Sequence, residues 1–384
     1  MLFGIHLTLL VGLGIPVPAP PRILESIRQI RIERTIESTT FQIVMSVGRD
    51  KSNILDYPIV NNPLLSEFNR LVIIVTLGLR PKVLLDGIIT HVQFDPSSDA
   101  GRSSFTVTGE DLTVMLDRED ATEPHEACNL QAIYYKILSR PKYGRFKITP
   151  LPITRPTNPP SPLERTPVQC KTDLAYIRTL ARRQDFIFNI RPGPVPLTNI
   201  AYVGPAYDQK LKALPQKPLS FNMGVKTTVT EALNFQYNPL KPSLQEGYFL
   251  DVDKHAFIPL QTLKSAKMQL SMKPALEKNI LNSRKRHFVN RSSVSLPDTL
   301  IQIQAQTERT TDVLRCTGEL DTLKYGDILM QQRFVDVRGA GNEHNGTYFV
   351  ESVTDEIIPR SGYKQRFSLV RDGKYTNIPA VIES

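Results

Sequence analysis

Period-two alternation marks both ends of the chain. Ile30-Arg-Ile-Glu-Arg34 alternates, and Phe41, Ile43, Met45 and Val47 alternate across Gln42 and Ser46. Each reads as a half-buried strand. Leu71 to Leu79 is apolar at nearly every position, which predicts a strand covered on both faces. One face belongs to its own unit, and the other to a neighbouring chain or an inserted domain. Gly87 to Phe94 and Ser104 to Asp111 flank a turn at Pro96 to Gly101. Gly346 to Ile358 and Tyr363 to Gly373 flank a second at Pro359 to Gly362. Both read as hairpins rich in β-branched and aromatic residues. With Gly87 laid on Gly346, Phe105 and Phe367 fall almost in step. That weak repeat predicts two copies of one β-unit, and six copies in a trimer.

The centre changes period. Leu130, Ile133, Tyr134, Ile137 and Leu138 fall at helical spacing behind Asn129 as N-cap, and Pro141 closes the helix. Pro150 to Pro167 holds seven prolines and reads as a semi-rigid linker. A second helix starts at the Thr172 cap, buries Leu174, Ile177, Leu180 and Ala181, and carries Arg182 and Arg183 in its last turn. Phe186 to Ile190 follows as a strand. Strands resume at Ser220, with Val229, Leu233, Phe235 and Tyr237 on one parity until Pro239 and Pro242. Leu260 to Ile280 reads as partly helical, broken by Pro274. Ile301, Ile303 and Ala305 alternate with Gln302, Gln304 and Gln306, which predicts a glutamine-edged strand. The expected class is mainly β (α+β). The expected division is a barrel-like unit over 1–112, an α/β insertion over 113–205, a second barrel-like unit over 206–242 and 298–384, and a partly helical insertion over 243–297.

At the start, Ile5 to Val11 reads as a strand and Arg22 to Gln29 as a helical turn. Met1 to Gly14 is apolar apart from His6, but it lacks the basic flank of a signal peptide. The prolines at 16, 18, 20 and 21 end it short of the ~20 residues that span a membrane.

Charge and candidate chemistry narrow the function classes. The 384-residue chain carries a net charge of +9. That balance permits nucleic acid, an anionic membrane or an acidic protein as partner. The densest basic run, Arg284-Lys-Arg-His287 with Arg291, lacks interleaved aromatics beyond Phe288 and reads as a solvated turn. Cys128, Cys170 and Cys316 stand far apart, with neither a disulfide framework nor a zinc spacing. HExxH, GxxxxGK[ST] and GxSxG are absent. His6, His91, His125, His255, His287 and His344 are scattered singly. Gly339 to Gly346 reads as a hairpin loop. Glu110-Asp111 and Asp117, Glu119 and Asp120 are the acids that a glycan hydrolase would pair. Solvated charge beside a helix start explains them more simply. Two glycosylation sequons, at Asn290 and Asn345, lack any accompanying sign of secretion. No catalytic, cofactor-binding or metal-binding residue is assigned.

Several stretches, in order, resemble one family. They are Leu7-Thr-Leu-Leu-Val-Gly12 with Pro16-Val-Pro-Ala-Pro20, Phe41 to Arg49, and Thr172 to Arg182 with Phe186-Ile-Phe188. The most specific are Gly318 to Gly326, Val337-Arg-Gly-Ala-Gly341, Gly346-Thr-Tyr-Phe-Val350 and Tyr363-Lys-Gln-Arg-Phe367. Together they look like the phage late control D proteins, the baseplate hubs of contractile tails and contractile injection systems. The resemblance implies two barrel-like β domains with insertions, and a homotrimer joining a hexameric inner tube to a trimeric spike. It implies contacts with other baseplate components, assembly in the cytoplasm, and incorporation into a tail or injection particle. It brings no catalytic residues, cofactor, small-molecule substrate or specific nucleic acid. Some relatives continue into a spike domain. Here the expectation is a spike on a separate polypeptide. The alternatives are a tail-associated muralytic hydrolase using the acidic clusters, and a basic nucleic-acid-binding protein using Arg284 to Arg291.

Overall fold

The computed structural model describes residues 4–49, 56–78, 80–99, 102–153, 166–208, 216–230, 232–251, 254–278, 283–288, 296–359 and 361–376. Strand outweighs helix, and one large sheet carries most of it. Its first half comes from β1 (Ile5–Gly12), β2 (Ile27–Thr35), β3 (Thr39–Ser46), β4 (Arg70–Leu77), β5 (Arg80–Asp95) and β6 (Ser104–Asp111). In space they run β1-β4-β5-β6-β3-β2. The second half comes from β7 (Leu219–Ser220), β8 (Asn234–Tyr237), β9 (Leu314–Asp321), β10 (Phe334–Arg338), β11 (Gly346–Ile358) and β12 (Gly362–Arg371). These run β7-β10-β11-β12-β9-β8, the same permutation. Pairing is antiparallel within both halves except between β7 and β10, which run parallel. Among the described residues no closed barrel forms. The two units are halves of one open sheet, joined where β2 pairs with β11.

A shared irregularity fixes the equivalence of the halves. The ladder between β5 and β6 shifts between Ile89 and His91, and that between β11 and β12 shifts between Val350 and Ser352. An extra residue in one strand bends it and raises the local twist. Aligning the bulges puts Val92 on Val353, Phe94 on Asp355, and Val107 on Phe367. This moves the hairpin match by two residues: Gly87 corresponds to Tyr348, not Gly346. Sequence matching had followed the glycines, whereas the ladder follows the bulge.

β4 is covered on both faces within a single chain. Leu71, Val72, Ile73 and Val75 are fully buried, and Ile74 is 8 % exposed. Cover for Ile74 therefore requires no neighbouring chain. Asn129 and Thr172 cap their helices as expected, each accepting from a backbone N–H three residues on. The helices Leu130–Leu138 and Asp173–Arg182 share a core with the strands Phe186–Pro192 and Asn199–Pro205, and Tyr134 donates to the Ala201 carbonyl at 2.6 Å.

Two expectations fail. Residues 296–308 form a helix, not a strand. Thr299, Ile303 and Thr307, with Ala305 beside them, are its buried face, three of them at four-residue spacing, so the glutamine alternation is incidental. The region 243–297 is partly helical at Ala275–Lys278 among the described residues, and it also carries strands Ser243–Asp251, Ala256–Gln261 and Arg284–His287. Its alternation was masked by Pro259 inside one strand and by charge along another. Arg284–His287 is an edge strand rather than a turn. Most of the proline-rich linker and the Asn290 sequon lie outside the described residues.

Where β2 meets β11, a charged pair is sealed in the sheet. Arg34 donates twice to Asp355, at 2.6 and 2.9 Å, and both residues are fully buried. Tyr363 and Gln365 also donate to Asp355, and the Leu329 carbonyl and Gln331 accept from Arg34. Removing one partner strands a buried charge, which costs about 3–5 kcal/mol, whereas apolar replacement of both is far milder. Arg34→Met should therefore lower the denaturant midpoint sharply. Arg34→Met with Asp355→Leu should recover a large part of the loss, and paired denaturation curves measure both.

In the insertion, Asp173 opens its helix fully buried and accepts from Tyr143 and Gln169 and from the Arg140 guanidinium. Burial pushes this carboxyl up, but those hydrogen bonds outweigh it and hold the group below its ordinary 3.8. A depressed folded-state value stabilises above the unfolded one, and that stability is lost as pH falls through the folded value. The stability gap between the native chain and Asp173→Asn should be full near pH 7 and shrink below pH 3.8. Denaturation at a series of pH values tests this.

Candidate assembly surfaces

The acids proposed for hydrolysis are occupied separately. Asp111 is buried, accepting from the backbone N–H groups of Thr39 and Thr113. It ties the start of β3 to the exit of β6. Asp117 accepts from Thr172, and Glu119 meets Lys142 at 3.3 Å. Glu110 lies on β6 between Thr40 and Ile88, and Asp120 pairs in register with Thr172. The histidines stay apart: His125 is buried beside Gln169, His344 lies tilted against the Phe235 ring, and His91 follows the β5 bulge. Among the described residues, no group of three or more His, Cys, Asp or Glu is placed to hold a metal ion. The cysteines are free thiols.

A cavity of about 580 Å³ separates the α/β insertion from the second unit. Three ion pairs cross its lining. Arg182 meets Glu37 at 3.0 Å, Arg309 meets Asp185 at 2.8 Å, and Lys267 meets Asp312 at 2.7 Å. The first two tie the α/β insertion to the first and second units.

The basic run Arg284–His287 is exposed throughout. It pairs parallel with Ser243–Asp251, and Lys285 and His287 lie 3.5 and 3.8 Å from Glu246. A charged edge of this kind resists further strand addition. On the neighbouring hairpin, Leu250 opposes Phe257 and Tyr248 opposes Pro259. Tyr248, Leu250 and Phe257 stand 65, 43 and 71 % exposed on one face, an apolar patch that the chain itself leaves uncovered.

Among the described residues, two short strand edges are also open. β5 pairs with β4 only as far as Ile88, so beyond the bulge it is bonded on one side, to β6. β8 is bonded on one side, to β9. Val92, Phe94, Phe235 and Tyr237 on these segments are half-buried. Their counterparts at the β2–β11 joint, Val353, Asp355, Ile32 and Arg34, are fully buried. The sequence analysis does not single out the Arg34–Asp355 pair. The available signal was parity: Arg34 falls in phase with Ile30 and Ile32, and Asp355 with Val353 and Ile357.

No protein-family model matches the chain, and no curated protein matches it by sequence. Solved structures do match in fold. A tail protein from Neisseria meningitidis MC58 aligns with a TM-score of 0.65 at 14 % identity, covering 97 % of this chain and 98 % of that one. The 43 kDa tail protein of prophage MuSo2 from Shewanella oneidensis aligns at 0.65 and 13 % identity, covering 96 and 98 %. An E. coli component of the type VI secretion system, described as structurally similar to two T4 bacteriophage tail proteins, aligns at 0.56 and 14 % identity, covering 93 and 77 %. The chain thus shares its fold, end to end, with phage tail proteins and with a secretion-system component.

Proposed function

We propose that this chain is a baseplate hub, a homotrimer that joins a hexameric inner tube to a trimeric spike in a phage tail or contractile injection particle. One observation carries the reading: two units of identical strand order are joined edge to edge in one chain. Three such chains around one axis present six near-equivalent units. A ring meets its partner by matching symmetry at the contact. Six units suit a six-fold tube on one side, and three chains suit a three-fold spike on the other. Tail proteins among the fold neighbours support a place in such a particle. The exposed Tyr248, Leu250 and Phe257 patch is a surface for other baseplate components.

The role is mechanical: template the first tube ring, hold the spike and transmit the push of the sheath. Asp111 and Asp117 accept structural hydrogen bonds and Glu119 pairs with Lys142, which supports a structural role for these acids. The exposed run Arg284–His287 lies against Glu246 and carries no readout of base sequence.

Sedimentation of the purified chain should give a particle of about 130 kDa, three times the 43.3 kDa chain, and a heavier one once its spike is bound. The trimer should bury about 2,000–5,000 Å² at its interfaces, in the obligate class. A monomer that stays monomeric with spike added, and seeds no tube rings, would overturn the reading. Assays on peptidoglycan and nucleic acid should show no turnover. Chelator-sensitive hydrolysis would contradict the non-enzymatic assignment.

A further inference from the structure

We infer that the joint inside the chain is copied between chains, with the register fixed residue by residue. The inference rests on the trimeric reading. At the internal joint, β11 presents its post-bulge edge to β2. Val353 opposes Arg34, Thr354 opposes Glu33, Asp355 opposes Ile32, and Glu356 opposes Arg31. The equivalent of β11 in the first unit is β5, and its post-bulge edge is His91 to Asp95. The equivalent of β2 in the second unit is β8. The ladders set that equivalence: Phe41 opposes Ile32 and Gly109, and Cys316 opposes Phe235 and Leu369. Phe235 therefore stands for Ile32, and Tyr237 for Arg34.

Carrying the internal register across gives an antiparallel ladder: Val92 to Tyr237, Gln93 to Gln236, Phe94 to Phe235, and Asp95 to Asn234. The chemistry fits. The sealed ion pair of the internal joint is replaced by an aromatic and aliphatic cluster, in which directly opposed rings stabilise a sheet. Gln93 and Gln236 meet on the exposed face and can exchange amide hydrogen bonds. Pro96 has no N–H to give, so the ladder ends after Asp95.

The partner is a second copy of this chain. Six strands separate β8 from β5, which at about 4.8 Å per strand puts them roughly 34 Å apart along the sheet. One chain cannot pair them while the sheet stays open. Each chain carries one segment of each kind, so the contact is head to tail. Such contacts close into a ring when the rotation per unit divides the circle. Equal joints within and between chains give one rotation per unit, and six units close after three chains.

Cysteine cross-linking tests the register. Gln93 and Gln236 are exposed, so their replacement leaves the core untouched. Directly opposed residues of an antiparallel pair sit about 4.5–5.5 Å apart at Cα, within the reach of a disulfide. The full chain carries Cys128→Ser and Cys170→Ser, which remove the accessible thiols. Under a mild thiol oxidant, Gln93→Cys with Gln236→Cys should convert most monomer on a non-reducing gel to covalent dimer and trimer. Each single variant should remain monomeric. Mixing the two singles should give dimer only, which places the bond between chains. Gln93→Cys with Asn238→Cys, two residues out of register, should cross-link far less. If the chain sediments as a trimer while Gln93→Cys with Gln236→Cys stays monomeric on the gel, this joint is wrong and the trimeric reading stands. If no trimer forms at all, both fall together.

Discussion

The pairing of β2 with β11 is the contact on which the rest of the architecture depends. It joins residues more than 300 positions apart and turns two halves that share one six-strand order into a single sheet. Backbone pairing alone is tolerant of slippage. A ladder shifted by one residue would move every side chain to the other face. Here the Arg34–Asp355 pair makes slippage costly, because a shift would pull Arg34 away from Asp355, Gln331 and the Leu329 carbonyl and leave two fully buried charges unpaired. A buried ion pair is a weak source of stability. Its use in this position is to allow one alignment of the halves.

The halves repeat in topology but differ in how their ends are finished. In the first, β1 is eight residues long and runs antiparallel to β4 along its whole length. In the second, the matching β7 has two residues and runs parallel to β10. The α/β insertion precedes the second unit at β7, and the strand-led insertion interrupts it between β8 and β9. Arg309, Lys267 and Arg182 tie these insertions back to the sheet by ion pairs across the large cavity. The insertions thus decorate the duplicated sheet without entering its strand order.

Much of this was legible in the sequence where period and punctuation agreed. The two hairpins, the doubly covered β4 and both capped helices follow from alternation, apolar runs and N-cap chemistry. Legibility failed where a local pattern had two physical readings. Ile301, Ile303 and Ala305 alternate, yet Thr299, Ile303 and Thr307 make an equally regular helical face, and glutamine suits a helix well. The repeat was visible but set two residues off, since a bulge leaves no residue-type signature at Thr90 or Glu351. The open edges were not legible at all. An unpaired strand looks like a paired one until its neighbours are known.

The order of strands along the chain has a consequence for synthesis. β1 to β6 are complete by Asp111, but the outer edge of β2 has no partner until β11 emerges. At ~5–20 residues per second, that interval is about 12–47 s. During it, a six-residue strand edge with Arg34 in its apolar row is open to any nascent strand nearby. The early half therefore leaves the ribosome as an unfinished sheet, and the Gly346–Arg371 hairpin is what joins it to its other half.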